Sequence, residues 1–98
     1  MIKCFQLVTG HDIIGDATEN GPVWIIKEPA AVHLVPNQNQ QSTFGIAMIP
    51  FMPYAEGSKI TVKKEAIAIE LEPTVEMRNN YNKMFGSGIQ ISNVMPGK

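Results

Sequence analysis

Residues 2–19 read IKCFQLVTGHDIIGDATE, and the fold turns on how this stretch is laid out. Two runs rich in strand-favouring residues flank Thr9-Gly10-His11, where Gly10 supplies the positive φ that a short hairpin loop demands. A second glycine, Gly15, stands in the returning strand. Its missing side chain lets that strand bend sharply or admit another backbone close by, as the corner of a small barrel requires. An isolated hairpin is not stable in water, so the rest of the chain is expected to wrap it into a closed or nearly closed barrel.

Outward from the hairpin, Glu19-Asn20-Gly21-Pro22 is a dense set of turn formers, and Val23-Trp24-Ile25-Ile26 opens a third strand. Pro29 removes an amide donor, yet residues 31–35 resume an extended pattern, so the spacing predicts one long strand with a bulge or kink. The tract at 36–42 has no apolar residue besides its proline and reads as a solvated surface loop. Residues 43–54 are the most apolar of the chain, but Pro50 and Pro53 exclude a central strand and place the segment at an edge or a subunit contact. After a turn at 55–58, two short extended pieces at 59–62 and 66–71 flank Lys63-Lys64-Glu65. Ile67, Ile69 and Leu71 alternate with Ala66, Ala68 and Glu70, which predicts one buried face for this last strand.

Past Pro73 the period changes. Met77, Tyr81, Met84 and Phe85 fall at helical spacing, so an amphipathic helix is expected over about 74–85, with Thr74 as N-cap and Gly86 as C-cap. Glu76 and Lys83 sit at the ends that the helix dipole favours. A short tail at 86–98 follows, in which 88–91 has the pattern of a brief strand. The whole of 1–98 is read as one mainly β domain with a C-terminal α-helix.

Nine acidic and eight basic side chains leave a formal charge of −1, so no global field draws nucleic acid or anionic lipid; such binding would need local placement. Cys4 is the only cysteine, which excludes an intramolecular disulfide and a cysteine-rich zinc site and points to a reducing, cytoplasmic setting. Its place on the first strand suits a small buried hydrophobe. No long apolar run or cleavage pattern appears, so a soluble, unprocessed chain without membrane contact is expected. His11 and His33 lack partners of diagnostic spacing, and no enzymatic activity or cofactor is expected. His11, Asp12 and Asp16 form a conceivable metal set, but solvated carboxylates on an outer strand face account for them more simply.

Gly10, Ile13, Ile14 and Gly15 together resemble the first motif of the Sm and Sm-like proteins, in which a turn glycine, two apolar residues and a second glycine lie on a bent strand. The run Val62-Lys63-Lys64-Glu65-Ala66-Ile67 is similar in spacing to the second motif, with Lys64 at the basic position and Glu65 where the bacterial Sm-like RNA chaperone has histidine. The likeness extends in particular to Sm-like proteins encoded by phages of marine cyanobacteria. Where the family carries an aspartate and a base-contacting asparagine after the second glycine, Asn20 is the nearest polar equivalent, and the usual asparagine position falls near Trp24 or Ile25.

The resemblance implies a strongly bent, five-stranded antiparallel Sm-like barrel over about 2–72, assembled as a homo-oligomeric ring of roughly five to seven copies. It also implies single-stranded RNA as partner, with Lys63, Lys64, Trp24 and Asn20 as candidate contacts. Ring closure would gather the lysines near an axis, while Trp24 is either a stacking surface or the largest core residue of the third strand. The other class of function is a phage structural or assembly module that engages phage or host proteins without nucleic acid.

Overall fold

The computed structural model describes residues 1–36 and 44–85. They form strands β1 (Ile2–Leu7), β2 (Asp12–Asn20), β3 (Val23–Pro36), β4 (Phe44–Pro50), β5 (Lys59–Lys63) and β6 (Ile67–Leu71), followed by helix α1 (Val75–Phe85). All pairings are antiparallel, in the order β4-β3-β2-β1-β6, with β5 also on β3. The opening hairpin forms as its residues dictate: Leu7 N donates to His11 O at 2.8 Å and Gly10 N to Leu7 O at 2.9 Å, with Gly10 at φ +97°.

The sheet bends where Gly15 meets β3. Asp16 pairs with Lys27 and Ile14 with Ala30, so β3 takes three steps (27 to 30) while β2 takes two (16 to 14), and the extra residue is a bulge. Glu28 has φ +49° there, and Pro29, which lacks the amide a regular ladder would need, is buried. A Cβ on Gly15 would collide with Ile26 Cγ2, so glycine is what allows the two strands to approach this closely. The bulge also shifts the phase of β3: Ile26 belongs to one core cluster and Ala30 to the other.

Those clusters occupy the two faces of the sheet, as neighbours in sequence point opposite ways. Phe5, Ile13, Ala17, Trp24, Ile26 and Val62 fill one side, and Cys4, Ile14 and Ala30 meet Tyr81 of α1 on the other. Phe5, Ile13, Ile14 and Ile26 are at most 1 % exposed, and each fully buried side chain of this size contributes about 1.5–3 kcal/mol of hydrophobic transfer. Thr74 caps α1 as expected, its Oγ1 accepting from Met77 N at 3.1 Å. Met77 and Phe85 pack with Tyr81, whereas Met84, expected on the apolar stripe, is 48 % exposed: the stripe is narrower than the spacing suggested.

Three further expectations are corrected. There are six strands rather than five, because β4 and β5 lie end to end along the same edge of β3, pairing with 30–36 and 23–27 respectively. Pro50 ends the first of them, and the chain leaves the sheet over 51–58 before β5 begins. Nor is the sheet closed among the described residues, since β5 and β6 do not pair and a single 3-10 turn at Lys64–Ala66 separates them. The mostly antiparallel, bent sheet with its C-terminal helix is otherwise consistent with the Sm-like layout. The last strand does not bury one face: Ile69 and Leu71 are 49 % and 47 % exposed, because β6 ends the sheet. The loop expected at 36–42 lies, past Pro36, outside the described residues, as do the Gly86 cap and the strand at 88–91.

Candidate nucleic-acid interface

Three of the four residues picked out in the sequence converge on one corner of the sheet. Asn20 pairs with Val23, the two joined by a turn of Gly21-Pro22 alone, and Val23 pairs in turn with Lys63. One row across β2, β3 and β5 therefore carries Asn20 and Lys63 at its two ends. Lys64 follows immediately, its backbone N donating to Pro22 O at 2.9 Å, which docks the 3-10 turn onto the β2–β3 turn. Residues 42 positions apart in the chain are held together here by a backbone hydrogen bond rather than by side-chain chance.

The electrostatics of this corner are mixed. Lys64 Nζ forms an ion pair with Glu19 Oε2, both side chains being partly exposed, and Glu65 adds a second carboxylate beside it in sequence. An exposed pair of this kind contributes only about 0–1 kcal/mol to stability, so it opens readily to another anion. Lys63 is exposed and makes no ion pair among the described residues. Glu19, which faces Lys64 across the sheet, gave no local sign in the sequence; only the fold brings the two together.

Trp24 belongs elsewhere. It is 7 % exposed, sits in the core cluster of Phe5 and Ile26 with its ring centroid 5.2 Å from that of Phe5, and lies one row behind the corner, opposite Val62. The buried alternative for this indole is the one the fold adopts, and a base has no access to its face. Lys3 Nζ approaches the ring to 5.7 Å while pairing with Glu72 at 3.1 Å, so the cation there is already committed. The indole Nε1 is buried without a hydrogen-bond partner among the described residues.

The other polar residues weighed in the sequence do not assemble into a site. Asp16 receives the N-terminal ammonium of Met1 at 2.6 Å, and His11 Nδ1 shares a hydrogen bond of 2.7 Å with Thr9 Oγ1. Among the described residues no three His, Cys, Asp or Glu side chains gather to hold a metal ion. Cys4 is buried against Ile14 and Tyr81, and that burial, reinforced by the Asp12 and Glu72 carboxylates, pushes its thiol pKa up. None of the described helices is long and apolar enough to cross a membrane. No family model matches the chain, and no curated protein matches it in sequence.

Proposed function

We propose that the chain is a non-catalytic protein that binds single-stranded nucleic acid, RNA foremost, as a homo-oligomeric Sm-like ring. The observation that carries this reading is the backbone-locked corner that holds Asn20 and Lys63 at the two ends of one row, with Lys64 next to Lys63. Two lysines in succession and an amide suit phosphate contacts with a little base-edge hydrogen bonding. One such corner is weak, but copies around an axis would sum into a ring of positive potential. The two ends of the sheet favour that arrangement: β4 offers Ile46 and Ile49 and β6 offers Ile69 and Leu71, all exposed, on strands with one edge unpaired. Head-to-tail pairing of those unlike edges closes rings rather than twofold dimers.

The reading predicts weak, sequence-tolerant and salt-sensitive binding, because each phosphate contact releases counterions while base contacts are few. Fluorescence anisotropy with labelled uridine-rich and adenine-rich single strands, at low and moderate salt, tests it against Lys63→Ala combined with Lys64→Ala. Absence of binding at low salt, or binding unchanged in the double variant, removes the lysine corner as the interface. Light scattering that finds only monomer at micromolar concentration removes the ring.

A second reading, an assembly module acting through protein contacts, draws on a different surface. Tyr54 is 82 % exposed at the excursion between β4 and β5, beside Met52 at 42 % and near Ile49 at 53 %. Exposed aromatic and methionine side chains of this kind are enriched where proteins dock. This reading gains if strands fail to bind while Tyr54→Ala abolishes co-purification with a phage or host protein.

A further inference from the structure

A cup of about 400 Å³ opens where the sheet fails to close, between the β1–β2 turn, β5 and the segment leaving β4. Phe51, Ile60 and Val62 form its floor, and His11, Thr61 and Lys63 stand among its lining. Resting on the nucleic-acid reading above, we infer that this cup takes a planar base that carries a phosphate, presented either as one nucleotide of a single strand or as a free mononucleotide.

Charge sets this cup apart. Each of the other described cavities has a carboxylate in its lining, Asp12, Asp16 or Glu28, whereas this one has Lys63 and no acidic residue. An anion is therefore favoured here more than in the rest, one of which also carries Lys27 beside its two carboxylates. Lys63 makes no ion pair among the described residues, so its ammonium is available without displacing a partner. It is also the residue through which the cup joins the Asn20 corner, giving a strand one continuous path from Lys64 past Lys63 into the cup.

Shape and ring chemistry narrow the anion further. The His11 and Phe51 rings lie 5.5 Å apart between centroids at a tilt of 55°, an aromatic pair in the lining of the cup with His11 exposed. Stacking on such faces is tolerant of base identity and contributes about 1–3 kcal/mol per base. Thr9, held by its hydrogen bond to His11, and Thr61 supply hydroxyls for base edges or ribose. The volume falls at the small end of ligand pockets, about 300–1,000 Å³, which suits a single nucleotide. A simple fatty anion would use the floor and the ammonium but leave the aromatic pair and the hydroxyls without a role.

Calorimetry on the full chain with adenosine monophosphate and uridine monophosphate, together with anisotropy on labelled single strands, tests this assignment. Adenosine, inorganic phosphate and decanoate serve as competitors. His11→Ala and Lys63→Gln, both at exposed positions, should each weaken mononucleotide and strand binding by at least roughly fivefold, the lower end of what one lost stacking partner costs. Lys64→Gln, outside the cup, should weaken the strand alone, and adenosine should bind less tightly than its monophosphate. Binding of strands that is indifferent to His11→Ala, with no mononucleotide bound, overturns the cup and leaves the nucleic-acid reading intact. Mononucleotide binding that responds to both cup variants, with no strand bound, keeps the cup and overturns that reading. Displacement of the nucleotide by phosphate or decanoate at equal concentration overturns the base-specific part.

Discussion

The Tyr81 hydroxyl donates to the carbonyl oxygen of Glu28 at 2.8 Å, with the Lys27 carbonyl 3.1 Å away, so the helix is fastened to the sheet at the bulge between β2 and β3. Those two carbonyls lie where the ladder between β2 and β3 shifts register. Both bonds are part-buried, and carbonyls withdrawn from water need a donor, which a phenol reaching from α1 provides.

Tyr81→Phe is expected to destabilise the protein by about 1–2 kcal/mol, the cost of leaving a part-buried acceptor unpaired. In a domain of this size that corresponds to a melting temperature lower by roughly 4–16 °C. The same residue gives a pH signature. Burial, then the Glu28 carboxylate, push the Tyr81 pKa up from 10.0 to about 12. The folded state thus holds its proton where the unfolded chain has lost it, and this contribution to stability is complete below pH 10 and lost as pH rises through about 12. Wild-type protein should lose stability more steeply than Tyr81→Phe between those values; parallel melting curves for the two would dispose of the assignment.

Gly15→Ala should cost about 1–3 kcal/mol, as overpacking in a filled site does. The added methyl group meets Ile26 Cγ2 and sits 3.2 Å from the Lys27 carbonyl and 3.4 Å from Pro29 Cα, and the backbone members of that set cannot rotate away. Gly15→Val should prevent folding at 37 °C. Urea titrations followed by circular dichroism measure both, and a Gly15→Ala protein as stable as wild type would mean that the strands do not approach this closely.

Gly10, Gly15 and Pro29 made the hairpin, the bend and the long bulged third strand legible in the sequence, because each is a residue whose backbone chemistry leaves few alternatives. Thr74 and the spacing of Met77 and Tyr81 did the same for α1. What stayed hidden depends on distance along the chain. Ile69 and Leu71 alternate as a half-buried strand would, yet only the sheet order shows that nothing covers them. Lys63, Lys64 and Asn20 were visible as polar residues near turns, but their meeting depends on the register of β3 with β5. His11 looked solitary until the fold brought Phe51 against it from 40 positions away.

Cys4 provides a probe of how firmly α1 is seated. At 8 % exposure and with its pKa raised, the thiol should react with a maleimide or a disulfide reagent at least roughly a hundredfold more slowly in the native protein than in urea, because reaction requires local opening. Tyr81 packs in the same cluster, so Tyr81→Phe should speed native labelling, whereas Lys64→Gln, at the opposite corner, should not. Equal rates in all three proteins would show that Cys4 is reached by a route that does not involve the helix.

Glu19→Gln offers the sharpest separation of charge from shape at the proposed interface. In the wild type, the Lys64 ammonium is paired with the Glu19 carboxylate, and a phosphate must displace it. Removing that carboxylate frees the lysine while costing less than about 1 kcal/mol in stability, since both side chains are partly exposed. If the corner binds strands, Glu19→Gln should tighten binding a few-fold at low salt and steepen the dependence of log K on log salt by roughly one, the signature of one more phosphate contact. Adding Lys64→Gln to the same chain should cancel the gain, because the effect then has no cation to act through. A gain that survives Lys64→Gln would point instead to a general relief of negative charge, and no gain at all would place the strand away from Lys64.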